Sequence, residues 1–175
     1  MNACAWRPMR AADLDGVVSV ARVAFPDHFE APACFAERFA LFPQGCFVLP
    51  SGDAVRGYLI AYPWPPGAIP PLDSLLGALP EDRDALYLHD LALHPDLRGR
   101  GHARSIVARL VVTAKAWGTR QIALVSVNDT RDFWRGLGFQ VVDGDAVIAR
   151  KLASYGADAT YMVRALYPSA ASFSA

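Results

Sequence analysis

Lysine is nearly absent from this 175-residue chain. It occurs only at Lys115 and Lys151, so arginine carries almost all of the positive charge. That bias reads as a compositional habit without functional weight. Charge of one sign is also lacking: 17 basic residues balance 17 acidic ones. No global field draws the chain to nucleic acid, so nucleic acid is not an expected partner. Cysteine is scarce, with Cys4, Cys34 and Cys46 widely spaced, odd in number and free of any Cys-x-x-Cys pair. A disulfide framework or zinc site does not fit, and a reducing compartment does. No window is long and apolar enough to span a bilayer, and the first residues do not pair a charged region with an apolar run. The expectation is a cytoplasmic protein with no membrane partner.

What is present is a globular composition, 53% apolar and 19% charged, long enough for one domain with a sizeable core. The expected domain is 1–167, with 168–175 as a loose tail. Strand signals fall at Ala3–Arg7, Cys46–Leu49, Ala54–Tyr62, Ala85–Leu93, Gln121–Val127, Phe139–Val142 and Ala159–Ala165. The second and third strands are joined by a Ser51-Gly52-Asp53 hairpin turn. Helical periodicity covers 13–25 with Asp13 as N-cap, 32–42, Gly101–Trp117 ended by Gly118, and Thr130–Gly136. Six prolines make 63–83 irregular, in the manner of a binding-site wall. Alternating strands and helices predict a mixed α/β fold.

The sharpest local signal is the strand Leu86–Leu93, ending at His94-Pro95 and followed by Arg98-Gly99-Arg100-Gly101-His102-Ala103 and a helix. Small residues where a strand turns into a helix leave backbone N–H groups bare at a helix N-terminus, an anion site and most naturally a phosphate site. Three readings compete: a solvated basic turn, an RNA-binding arginine–glycine run, and a pyrophosphate cradle. The first leaves Gly99, Gly101 and Ala103 unexplained together. The second lacks repeats and aromatic partners. Neither a P-loop Gly-Lys-Ser/Thr nor the third glycine of a dinucleotide fingerprint is present.

The chain resembles the GNAT-type N-acetyltransferases. Their Arg/Gln-x-x-Gly-x-Gly/Ala motif is matched by Arg98–Ala103, and the strand end before it by Leu91-Ala92-Leu93-His94-Pro95. Asn128 followed by Phe133–Phe139 resembles their Asn…Tyr-x-x-x-Gly-Phe segment, and Trp6-Arg7-Pro8 with Ala12-Asp13-Leu14 their first strand and helix. The resemblance spans nearly the whole chain. It implies a mixed, mostly antiparallel sheet splayed between strands 4 and 5, with helices on both faces and acetyl-CoA as cosubstrate.

Site residues follow from the same resemblance. Leu91, Ala92 and Leu93 would face pantetheine, with the Leu91 N–H as oxyanion donor. Arg98, Gly99, Arg100, Gly101, His102, Ala103, Arg104 and Ser105 would hold the pyrophosphate. Asn128 and Trp134 would flank the cofactor arm. Strand alternation is expected to put Tyr87, His89, Leu91 and Leu93 on one face and Asp90 on the other, in a structural role. Tyr87 falls where histone-type relatives carry a glutamate base. His89 falls where aralkylamine-type relatives carry a histidine, and imidazole suits proton transfer near neutrality. His89 is the expected base, directly or through water. Trp134 replaces the usual tyrosine acid, and an indole N–H donates a hydrogen bond but gives up no proton. Tyr155, Tyr161 or water would then protonate the thiolate.

His28, His94 and His102 match no metal-ligand spacing, so no metal is expected. Tyr62, Trp64 and the proline loop either wall an acceptor pocket or pack an edge. The expected function is acetyl transfer to a primary amine of a small molecule. The alternatives are a catalytically silent acyl-CoA-binding module and a protein N-terminal or lysine acetyltransferase. A homodimer is compatible with either.

Overall fold

The two longest strands, β3 (Ala54–Trp64) and β4 (Ala85–Leu93), pair antiparallel at the middle of the sheet. A computed structural model describes residues 4–81 and 83–167, so the expected tail at 168–175 and the Ala3 end of the first strand lie outside the described residues. In chain order the elements are β1 (Arg7–Pro8), α1 (Leu14–Ala24), α2 (Pro32–Leu41), β2 (Cys46–Ser51), β3, β4, α3 (His102–Ala116), β5 (Gln121–Ser126), α4 (Arg131–Arg135), β6 (Gln140–Val141), α5 (Ala146–Ala153) and β7 (Thr160–Ala165). The sheet runs β1-β2-β3-β4-β5-β7-β6. Only β4 and β5 are parallel neighbours, and the rest are antiparallel. The fold is the expected single mixed α/β domain.

Its core has two halves, one on each face of the sheet. Val17, Val20, Ala21 and Phe35 of α1 and α2 pack with Tyr58, Ile60, Tyr62, Tyr87 and Ala92 on one side. Ile106, Val107, Leu110 and Ala114 of α3 pack with Leu59, Leu86, Leu88, Ile122 and Leu124 on the other. Helices therefore cover both faces, and the side chains of the central strands that face them are buried or half-buried.

The β4–β5 pairing stops early. Ala85, Leu86 and Tyr87 pair with Gln121, Ile122 and Ala123, and nothing on β5 partners β4 beyond Tyr87. From there β4 stays with β3 and β5 goes with β7, so the two strands part. This is the expected splay.

Three expectations need correction. Residues 143–158, which the strand and helix signals leave as loop between Val142 and Ala159, contain α5, with Asp145 Oδ1 accepting from Val147 N at 2.9 Å and Ile148 N at 3.0 Å. Asp13 precedes α1 but its side chain does not cap it. Arg7 takes both carboxylate oxygens, at 2.7 and 2.8 Å, and Arg10 N donates to one of them at 2.7 Å. The third correction is a bulge in β4. Ile60 pairs with Asp90 and Ala61 with Leu88, so His89 has no partner on β3. One extra residue shifts the alternation of every residue after it. Tyr87 and Ala92 share the α1/α2 face, and Asp90 joins them through Tyr58, while Leu91 packs with the α3 face. Leu91 and Asp90 thus stand on the faces opposite to those strict alternation assigns.

Candidate active site

Backbone geometry at the splay is fixed by register. His94 N donates to Arg56 O at 2.8 Å. Antiparallel pairs alternate between bonded and non-bonded, so Leu93 and Leu91, opposite Gly57 and Leu59, are non-bonded pairs. Their N–H and C=O groups turn away from β3 into the gap that β5 leaves. Arg98 Nε donates to the Leu93 carbonyl there at 3.4 Å.

Below the gap the chain enters α3 through Gly99 (φ +74°) and Gly101 (φ +81°), both left-handed. A Cβ at either would meet nothing within 4 Å, so the space over the turn is open. The Trp6 indole donates to His102 O at 2.9 Å and holds the turn against the N-terminal segment. Ser105 N donates to Gly101 O at 3.1 Å, the first helical bond, and the amides of His102, Ala103 and Arg104 lie ahead of it. Arg104 lies over the Phe133 ring, 5.8 Å from its centroid. These donors, left-handed glycines and open space fit a diphosphate.

A cavity of about 630 Å³ joins this turn to the opposite side of the sheet. At one end it is lined by Arg98, Ala103, Asn128, Phe133 and Trp134, along its length by residues 87–93, and at the other end by residues 23–28, Glu30, Leu72 and Tyr155. Tyr62 and Trp64 do not line it, and among the described residues of 63–83 Leu72 alone does. That irregular segment is instead strapped down. Glu37 accepts from Leu76 N and Gly77 N at 2.7 and 2.8 Å, Lys151 donates to Ile69 O at 2.5 Å, and Tyr155 donates to Pro70 O at 3.1 Å.

The bulge carries a polar network that the sequence did not reveal. Glu30, in the α1–α2 connection, brings Oε2 within 2.5 Å of His89 Nε2. Its Oε1 accepts from Arg38 at 2.9 Å and from Asp73 N at 2.8 Å. Tyr62 OH lies 3.0 Å from His89 Nδ1. Both ring nitrogens of His89 therefore have a protein partner, Tyr62 at Nδ1 and Glu30 at Nε2. The His89 side chain is only 2% exposed, although the residue as a whole is half-buried; its exposure is therefore in the main chain at the bulge.

Asp90 Oδ2 accepts from Tyr58 OH at 2.9 Å. Among the described residues no hydrogen bond reaches its other oxygen. One atom each of Glu30, His89 and Asp90 lies within 4.8 Å of the other two. That spacing could gather a cation, but the Glu30 oxygens are already held by Arg38, Asp73 and His89. The two carboxylates are pushed apart in acidity. Burial pushes Glu30 up, but the His89 hydrogen bond, the His89 and Arg38 charges and the Asp73 N–H outweigh it and hold it below the usual range. Burial, with the nearby Glu30, holds Asp90 above the usual carboxylate range despite the opposing pull of His89, Tyr58 and Arg38.

Tyr87 is buried in the cavity wall, and burial pushes its phenol well up. Trp134 is buried, stacks edge-on against Phe133 and Phe139, and donates its indole N–H to Thr130 Oγ1 at 3.2 Å. Asn128 is exposed at the cavity edge with a left-handed φ of +55°. Tyr161 accepts from Gly67 N at 3.2 Å and is not in the cavity wall. His28 lines the cavity, while His94 sits beside Asp96, 3.2 Å away.

The splayed strands and the glycine turn agree with a sequence comparison. The model of the Acetyltransferase (GNAT) family matches residues 14–139. The chain belongs to this family. No curated protein matches the chain in sequence. Solved structures that resemble it include the GphF GNAT-like decarboxylase in complex with isobutyryl-CoA, 18% identical, covering 93% of this chain and 100% of that one with a TM-score of 0.74. The loading GNATL domain of CurA from Lyngbya majuscula is 12% identical, covering 94% and 98% with a TM-score of 0.75. The PaiA N-acetyltransferase from Thermoplasma acidophilum, in complex with coenzyme A, is 11% identical, covering 93% and 99% with a TM-score of 0.65. At these identities the likeness is one of fold. As a GNAT member the chain is an acyltransferase whose acyl donor is a CoA thioester. Among the described residues, no helix is long and apolar enough to cross a membrane.

Proposed function

We propose that the chain is an N-acetyltransferase that moves an acetyl group from acetyl-CoA directly to a primary amine of a small molecule. The observation that carries this reading is the continuous cavity from Arg98 and Ala103, which flank the glycine turn, past the bare backbone of Leu91 and Leu93, to the α1–α2 connection. The donor supplies an activated carbonyl when bound; the rest is done by this chain. The turn from Arg98 to Ala103, with Arg104 and Ser105, grips the pyrophosphate. Leu91 and Leu93 align the pantetheine arm, with Ala92 between them. The Leu91 N–H polarises the thioester carbonyl, and Asn128 and Trp134 flank the arm.

A small acceptor fits because residues 63–83 are tied to α2 and α5, and because one cavity of about 630 Å³ must hold both the donor's arm and the acceptor. A cytoplasmic location and a homodimer go with this reading.

In this proposal His89 positions the bulge. Both of its ring nitrogens have protein partners, so it offers an incoming amine no free lone pair in this arrangement. Trp134 favours one rival, a silent acyl-CoA-binding module, since its N–H is spent on Thr130 and no acid stands in its place. A panel of small amines and peptide N-termini, read by CoA release with acetyl-CoA and longer acyl-CoA esters, separates the readings. Release with small amines supports the proposal. Release only with peptides points to a protein acetyltransferase, and donor binding without release points to the silent module. A thermal shift should accompany donor binding, about 2.7 kcal/mol at a hundredfold excess over Kd.

A further inference from the structure

We propose that Asp90 is the catalytic residue that takes the proton from the acceptor ammonium. This rests on the N-acetyltransferase reading above. The assignment follows from which polar groups in the cavity are already committed. Glu30 has Oε1 on Arg38 and Asp73 N, and Oε2 on His89. His89 has Nε2 on Glu30 and Nδ1 on Tyr62. Tyr155 donates to Pro70 O. Tyr87 is a buried phenol whose ionisation burial opposes. Asp90 lines the same cavity, and among the described residues only one of its oxygens is held, by Tyr58. Its second oxygen is the uncommitted acceptor at the bulge.

The bulge is what brings it there. Strict alternation would turn Asp90 to the α3 face. The extra residue at His89 returns it to the α1/α2 face, one residue before Leu91, whose N–H points into the gap. A proton acceptor and an oxyanion donor are thus supplied by adjacent residues of one strand.

The pair of carboxylates supports the division of labour. Like charges this close cannot both ionise freely, and groups whose environments push their acidities apart have separate roles. Arg38 and His89 keep Glu30 ionised as a fixed counter-charge. Asp90 is the one held toward the range where a carboxylate can accept a proton at neutral pH. The charged or titratable groups around it are Tyr58 of β3, His89 of β4, Glu30 of the α1–α2 connection, Arg38 of α2 and, more remotely, Tyr155 after α5.

The step balances without another reactant. Asp90 carboxylate takes one proton from R–NH3+, and the freed lone pair forms the C–N bond at the thioester carbonyl. The C–S bond breaks, the second proton of the nitrogen neutralises the departing thiolate, and Asp90 returns its proton to water.

The test compares wild type, Asp90→Asn and Tyr58→Phe across pH with an amine found active in the panel. We expect Asp90→Asn to lower kcat/KM for the amine by about 10²–10⁴-fold and to abolish the acid limb of the profile, with donor Kd unchanged. Tyr58→Phe removes a hydrogen bond that favours the ionised carboxylate, so it should move that limb to higher pH while keeping measurable turnover. If Asp90→Asn does not fold, the Tyr58→Phe shift alone decides. Unchanged kcat/KM and an unchanged limb in both variants would overturn the assignment and leave the acetyltransferase reading standing. Wild type that releases no CoA with any amine would overturn both.

Discussion

His89 Nε2 stands 2.5 Å from Glu30 Oε2, across 59 residues of sequence. The contact ties the β4 bulge to the α1–α2 connection, and Arg38 clamps the same carboxylate from α2. The α1–α2 end of the cavity is therefore held by a buried ionic network.

Because Arg38 and Glu30 are 1% and 4% exposed, breaking the pair should be costly. Arg38→Met leaves Glu30 charged and buried without its cation, and we expect a loss of about 3–5 kcal/mol in urea denaturation. Adding Glu30→Gln in the same chain should recover part of that loss, because the orphaned charge disappears. A double-mutant cycle gives the coupling. A single-variant loss below about 1 kcal/mol would mean that the pair is solvated in solution.

The fold was largely legible, the α1–α2 end of the cavity was not. Periodicity and turn chemistry located the central strands, α3 and the glycine turn to within a few residues, since each rests on local spacing. The bulge at His89 is decided by how β3 and β4 pair, which no local pattern encodes, and it reversed the faces of Asp90 and Leu91. Glu30 was missed for a related reason, because its partners come from three separate segments. One signal was available: Glu30 and Arg38 are charges eight residues apart in a stretch that also holds Phe29, Phe35 and Phe39. A charge that an apolar helix must bury asks for a partner.

Stability should depend on pH in opposite senses at the two carboxylates. Glu30 is held below its unfolded value, so its contribution is present above the unfolded pKa and is lost as pH falls through the folded one. Asp90 is held above its unfolded value, so its ionisation costs stability at neutral pH and costs nothing once it is protonated in both states. Asp90→Asn should therefore raise the urea midpoint near pH 8 and leave it little changed near pH 3, both approximate settings bracketing the carboxylate range. An equal rise at both settings would exclude the charge as its cause.

The glycine turn separates binding from folding. Gly101 has φ +81° with open space where a Cβ would go. Gly101→Val should cost folding only the left-handed strain, about 1–2 kcal/mol. It should weaken CoA binding at least about tenfold, equivalent to about 1.4 kcal/mol, because the branched side chain occupies the space over the amides. Calorimetric titration of CoA measures this, and an unchanged Kd would remove the turn from the donor site.

Trp134 stands where the resemblance puts a tyrosine acid, and an indole N–H gives up no proton. Its indole N–H bonds to Thr130 and its ring packs on Phe139. Trp134→Phe keeps most of that packing and loses one hydrogen bond, so we expect about 1–2 kcal/mol of destabilisation. If water protonates the thiolate, kcat of Trp134→Phe should match wild type at every pH, because the indole never took part in proton transfer. Trp134→Tyr brings back a phenol. A basic limb that appears only in Trp134→Tyr would mark the newly supplied acid, and a loss of kcat in Trp134→Phe beyond its effect on donor binding would show that the indole itself aids turnover.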